Sequence, residues 1–196
     1  MSLRHALLGF LSMRPMSGYD LKRRVDESVG HFWTADQAAI YRTLSELDAQ
    51  GLVMHERVAQ MSRPDRKVFH LTEAGREALD AWLAAPMPPV PRREPLLVKL
   101  FFAGRLSAES LRDLLTSELA HAETELAGYR AILEAVDALR TPPPEAAQLG
   151  PVITLTYGVR AATAQREWLR GLLARQQEGT LTVHALLEEI RQSLKN

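Results

Sequence analysis

The hydrophobic period of the chain changes twice, after Gly51 and again at Thr72, and those two changes leave few arrangements open to the N-terminal half. Between them lie LVMHERVA (52–59) and RKVFHL (66–71), each long enough for a strand and rich in Val and Phe. The intervening QMSRPD carries Pro64-Asp65, a turn signal, so a hairpin is predicted. On either side the apolar residues return every three or four positions, the repeat of a helix stripe.

Leu3, Leu7 and Leu11 predict a short helix that ends before Pro15. SGYD then matches a capping box, with Ser17 as cap and Asp20 reaching back, ahead of a stripe of Leu21, Val25 and Val29 stopped by Gly30. A third helix occupies DQAAIYRTLSELDAQGLV (36–53), with Ile40, Leu44 and Leu47 inward and Gly51 as its stop. After the hairpin, TEAGREALDAWL predicts a fourth helix with Thr72 as cap and Leu79, Trp82 and Leu83 as its buried side.

Two proline-rich stretches, APMPPVPRREP (85–95) and TPPPEAAQLGP (141–151), are expected to be extended connections, because proline lacks an amide proton and clashes within a helix. The first divides the chain into 1–85, a linker 86–95, and 96–196. Beyond it the sequence is all helix. Leu119, Ala122, Leu126, Tyr129, Leu133 and Val136 alternate in steps of four and three, a heptad seam that requires a partner helix, within one subunit or across two. A further helix over 152–176 carries Leu155, Val159, Ala162, Leu169 and Leu173 with Trp168 alongside, and a last one carries Val183, Leu187, Ile190 and Leu194.

Three helices, a hairpin and a closing helix form the winged variant of helix-turn-helix, in which the third helix enters the major groove and the wing touches the flanking backbone. The fold class is therefore mainly α. At about 100° per residue, the face opposite Ile40, Leu44 and Leu47 holds Ala35, Ala38, Ala39, Arg42 and Ser45, with Thr34 and Tyr41 on its shoulder. Small side chains there let a backbone approach base edges, and an alanine methyl can meet a thymine methyl. Arg42 suits guanine and Gln37 adenine. The helix start at 34–37 suits a phosphate unless Asp36 caps it. Arg57, Ser62, Arg63, Arg66 and Lys67 supply the wing with donors for backbone phosphates. A protein-interaction module with a solvated hairpin is the alternative reading of the same pattern.

SGYDLKRRV, FW, IYRTLSELDAQGLV and HLTEAGREAL together resemble the winged-helix domain of PadR-family bacterial transcriptional regulators. EPLLVKLFFAG, LAGYRAILEA and REWL are similar to the helical C-terminal domain of its longer subfamily. The resemblance spans nearly the whole chain. It implies a homodimeric repressor, less often an activator, that binds double-stranded DNA at a palindromic operator, with a C-terminal dimerisation domain. It also places Tyr41 and its neighbours, and the basic residues of the wing, against DNA. Leu119, Leu126, Leu133, Trp168, Leu169 and Leu173 become candidate dimer contacts. Phe101, Phe102, Tyr157 and Trp168 become candidate contacts for a small aromatic or amphipathic effector, against plain packing as the alternative. Phe32 and Trp33 are expected to plug the junction before the third helix. Arg42 and Ala39 stand where many relatives carry other residues, so the operator is expected to differ.

Lys plus Arg and Asp plus Glu balance at 24 each, so a nucleic-acid partner must be met by a local patch. No Cys occurs, which excludes a disulfide framework and thiolate zinc sites and fits the cytoplasm. The apolar start is broken by Arg4, His5 and Arg14 and is too short to span a bilayer. No nucleophile elbow, Walker loop or paired-histidine zinc motif is present, so neither a catalytic residue nor a cofactor is proposed.

Overall fold

The computed structural model describes residues 3–30, 32–58, 66–87, 93–141 and 143–195. The chain divides into two compact units, Met1–Val90 and Pro91–Asn196. The expected linker residues 88–92 and the turn at Pro64-Asp65 lie outside the described residues.

The first unit runs α1 (Leu3–Met13), β1 (Met16–Ser17), α2 (Gly18–Ser28), α3 (Gln37–Ala49), β2 (Val53–Val58), β3 (Arg66–Leu71) and α4 (Glu73–Ala84). Leu7, Leu8, Leu21, Val25, Ile40, Leu44 and Leu47 are almost wholly removed from solvent and share one core with Val53, Phe69 and Leu79. Each such side chain contributes about 1.5–3 kcal/mol by leaving water. The stripes expected on the first three helices therefore meet one another. The hairpin pairs β2 with β3 antiparallel from Val53↔Leu71 to Val58↔Arg66. Sequence reasoning missed β1, which adds to the other edge of β3 through Met16↔Phe69 and Ser17↔Val68. Two residues are too few to display a period.

The buried side of α4 is narrower than predicted. Leu79 is buried, but Leu83 is 65% exposed, and Trp82 stacks on His5 with ring centroids 4.6 Å apart. The start of α4 makes a close approach at Gly75, where a Cβ would lie 2.0 Å from the Leu52 carbonyl oxygen. Thr72 caps α4 through the Gly75 amide, at 3.1 Å, and its hydroxyl donates to the Gly51 carbonyl at 2.7 Å.

The second unit contains α5 (Pro95–Phe101), a 3-10 turn (Ala103–Arg105), α6 (Ala108–Asp137), α7 (Glu145–Gln177) and α8 (Val183–Ser193). The heptad seam finds its partner within the chain. Leu115 of α6 packs with Leu169 and Leu173 of α7, and Leu126 and Tyr129 pack with Ala162. Leu119 borders the first of these clusters. Leu126, Leu169 and Leu173, read from sequence as dimer contacts, are thus covered by their own chain, whereas Leu133 and Trp168 stay 52% and 39% exposed.

The second proline-rich stretch is also corrected. Rather than remaining extended to Pro151, the chain turns helical at Glu145 and carries Pro151 inside α7. Pro143 and Pro144 fall before the first turn, where a missing amide proton costs nothing. Glu145, Ala146, Ala147, Gln148 and Leu149 are strong helix formers that offset the single broken backbone bond at Pro151.

Candidate nucleic-acid interface

The outward face of α3 is built by its inward one. With Ile40, Leu44 and Leu47 sealed in the core, Gln37, Ala38, Arg42 and Ser45 point into solvent, and Tyr41 is 42% exposed. Thr34 is exposed but precedes the helix. Two of the small residues depart from expectation: Ala35 packs against the core and Ala39 is half-buried. The available face is therefore narrower and centred on Ala38 and Arg42, one turn apart. Asp36 caps α3, its carboxylate accepting from the Ala39 amide at 2.7 Å. Of the two alternatives for this helix start, a phosphate or an Asp36 cap, the structure has the cap.

Three contacts fix the pose of α3. Asp48 meets the His55 imidazole of β2 at 2.9 Å, and Arg4 of α1 donates to the Gln50 side chain at 2.7 Å. The third is steric: a Cβ on Gly18 would lie 2.5 Å from the Tyr41 ring, so the absent side chain at the start of α2 is the seat of that ring. Beside it Tyr19 is 63% exposed, an aromatic hydroxyl on the same helix start that sequence reasoning passed over in favour of its capping neighbours. Of the predicted plug, Trp33 is half-buried, while Phe32 is 54% exposed and so does not seal the junction.

The wing splits its basic residues into two kinds. Arg66 donates to the Asp20 carboxylate, the group that also completes the Ser17 capping box. Burial opposes the charge on Asp20, but the Ser17 hydroxyl and amide and the Arg66 guanidinium outweigh it and hold the carboxyl below its ordinary value. Arg66, although exposed, is thus engaged by an acid of its own chain. Arg57 and Lys67 stand directly opposite each other across the hairpin, both exposed, and neither makes an ion pair among the described residues. Facing like charges repel, and an anion relieves them. Their pairing depends on strand register, which the sequence did not fix. Ser62 and Arg63 lie outside the described residues.

The candidate effector residues do not converge. Trp168 borders an apolar cavity of about 560 Å³ with Leu100, Leu115, Leu172, Leu186 and Ile190, where Glu189 and Ser193 add polar groups. Phe102 lines a different hollow, next to Lys99 and Arg105. Phe101 and Tyr157 are 83% and 66% exposed. Among the described residues no group of His, Asp or Glu is arranged to hold a metal ion, and no helix is long and apolar enough to cross a membrane.

Residues 7–81 match the Transcriptional regulator PadR-like family, and residues 92–177 match the family described as Virulence activator alpha C-term. The probable transcriptional regulator Rv1176c of Mycobacterium tuberculosis is 36% identical over 182 residues, which cover 86% of this chain and 94% of that protein. The chain belongs to the PadR-like family of transcriptional regulators. Its PadR-like fold is similar to that of Bacillus subtilis PadR in complex with operator DNA, with a TM-score of 0.78 and 27% identity over 89% of this chain and 98% of that one. Bacillus subtilis PadR in complex with p-coumaric acid gives a TM-score of 0.73, again at 27% identity, over 89% and 95% of the two chains. The PadR-like character thus extends through both units.

Proposed function

We propose that this PadR-like regulator is a homodimeric repressor that reads a palindromic operator with α3 and clamps the flanking phosphates with Arg57 and Lys67. The observation that carries the reading is the bare pair Ala38 and Arg42. Nothing in the first unit covers them, and Arg42 has no ion-pair partner among the described residues. A helix that serves only a core has no reason to leave an unpaired arginine between small residues on its outer face. In a major groove the guanidinium has a bidentate acceptor in guanine, and the Ala38 methyl leaves the approach open. Gln37 and Tyr41 flank that pair and complete the reading surface.

Dimerisation is supported by a second surface. Leu149, Val152, Ile153 and Tyr157 recur along the first half of α7 at helix-stripe spacing, and each is at least 48% exposed. Leu133 and Val136 add to the apolar surface at the end of α6. Contiguous apolar surface of this kind marks an association site, and a second copy is the occupant that two-fold DNA recognition requires. Tyr157 is therefore assigned to this contact rather than to an effector. The cavity beside Trp168 is the better place for a small aromatic acid, a ligand class that the Bacillus relative binds. Such a ligand acts by favouring one subunit geometry over another.

Selection of bound duplexes from a random DNA pool tests the reading. The expected product is a two-fold symmetric motif whose half-sites lie about one helical turn apart, or a multiple of it. Affinity for that motif falls steeply with added salt as counterions are released. A pool that yields no enriched motif, or binding insensitive to salt, favours a helical interaction scaffold instead.

A further inference from the structure

We propose that the cleft between α6 and α7 lined by Arg130, Arg166 and Arg170 binds a small anion of the carboxylate or phosphate class. Arg166 and Arg170 lie one turn apart on α7, a spacing at which like charges repel, and Arg130 joins them from α6. Only one carboxylate lines the cleft with them. Glu123 accepts from Arg170 at 2.5 Å and is thereby engaged. The nearest acid to Arg166 is its exposed chain neighbour Glu167, at 3.9 Å, a separation at which solvent screens most of the attraction. Arg130 has no ion pair among the described residues. The cleft therefore holds two guanidinium charges that no well-placed carboxylate balances.

Arg166 is itself under-partnered: its Nε is buried and donates no hydrogen bond, while its side chain, 22% exposed, lines the cleft. Buried donors in folded proteins almost always have a partner, and an unmet donor on a cation is more costly than on a neutral group. An oxyanion in the cleft gives the lining guanidinium groups the acceptors that no carboxylate there supplies, its oxygens accepting from forked donors in pairs. The volume of about 260 Å³ accommodates inorganic phosphate or a small polycarboxylate. Leu126 is the sole apolar residue of the lining, so an aromatic ligand finds little surface there. None of these residues belongs to the surface proposed to meet DNA or to the cavity beside Trp168.

The test is thermal unfolding of the full chain with inorganic phosphate and, separately, with citrate, at ionic strength held constant with sodium chloride. Wild type, Arg130→Gln, Arg166→Gln and Lys67→Ala are compared. A ligand that binds only the folded chain raises Tm in a saturable way. The expected result is a saturable rise with one of the two anions, weakened about tenfold or more in both cleft variants and retained in Lys67→Ala. Which anion acts distinguishes phosphate from carboxylate recognition. No saturable rise, or a rise that survives Arg130→Gln, overturns the proposal. So does a loss of self-association by Arg130→Gln in light scattering without any anion response, which would assign the arginines to an acidic residue of a second copy.

Discussion

The Arg66 guanidinium, at the first residue of β3, rests on the Asp20 carboxylate in the first turn of α2. One carboxylate thereby completes the cap of the helix before α3 and ties the turn end of the hairpin to it. Together with the Asp48–His55 contact between α3 and β2, it holds in one frame the elements proposed to meet DNA.

Asp20→Asn removes the charge on which both contacts draw, while leaving an amide oxygen that can still accept. The weakened cap costs up to about 1 kcal/mol, and the ion pair with Arg66 is lost as well. The sign of the pH effect follows from the lowered carboxyl value in the folded chain. The ionised group is favoured by folding, so its contribution is fully present above the ordinary carboxylate value of about 3.9 and is lost as pH falls through the lower folded value. Urea unfolding midpoints measured at several values between neutrality and strong acid should fall more steeply for wild type than for Asp20→Asn in the acid range. Parallel curves would show that Asp20 contributes no such linkage.

Arg42 and Lys67 should fail in different ways. Arg42→Ala is expected to cost about 1–3 kcal/mol on the selected operator and to relax base preference at one position per half-site. Lys67→Ala is expected to weaken all duplexes alike and to reduce the salt slope by about one per subunit. Sequence alone nominates Arg66 for the second role. Its pairing with Asp20 makes Lys67, whose charge is unopposed, the cleaner probe. Fluorescence anisotropy over a salt series with operator and scrambled duplexes separates the two, and identical behaviour of the variants would remove the distinction between reading and clamping residues.

Two glycines make a matched contrast. A methyl at Gly75 collides with the Leu52 carbonyl oxygen, a backbone atom held between α3 and β2, so Gly75→Ala should destabilise by about 1–3 kcal/mol or more. A methyl at Gly18 collides with the outer edge of the Tyr41 ring, which can swing aside. Gly18→Ala should therefore leave Tm nearly unchanged while lowering DNA affinity, because the ring that moves lies on the proposed reading face. Calorimetry and a binding titration on the same preparations check both. A Gly18→Ala variant that unfolds early but binds normally would contradict this account.

Legibility followed the length and continuity of each pattern. The stripe Ile40, Leu44 and Leu47 and the Ser17–Asp20 cap were readable because their partners lie within a few residues along the chain. The burial of Ala35, the exposure of Leu83 and the pairing of Arg57 with Lys67 were not, since each depends on the position of a distant segment. Pro151 misled for a different reason. Its local penalty is real, but helix-forming neighbours and a long packed remainder of α7 outweigh one missing bond. The heptad of α6 announced a partner helix correctly without saying whose, because a seam specifies spacing rather than connectivity.

The apolar stripe on α7 supplies the last prediction. Because Leu126, Leu169 and Leu173 are covered within the chain, substitutions there test folding rather than association. Ile153 is 59% exposed, so a carboxylate at that position meets water in an isolated subunit and costs it little. In a dimer the same carboxylate is buried against apolar side chains with no partner, a cost of several kcal/mol. Ile153→Asp should therefore leave the helical circular dichroism intact and halve the mass seen by light scattering. Operator affinity should fall by about 10²-fold or more, since two half-sites are no longer engaged together. A variant that keeps the wild-type mass would place the subunit contact on another face, and a wild-type chain that scatters as a monomer would remove the dimer from the reading altogether.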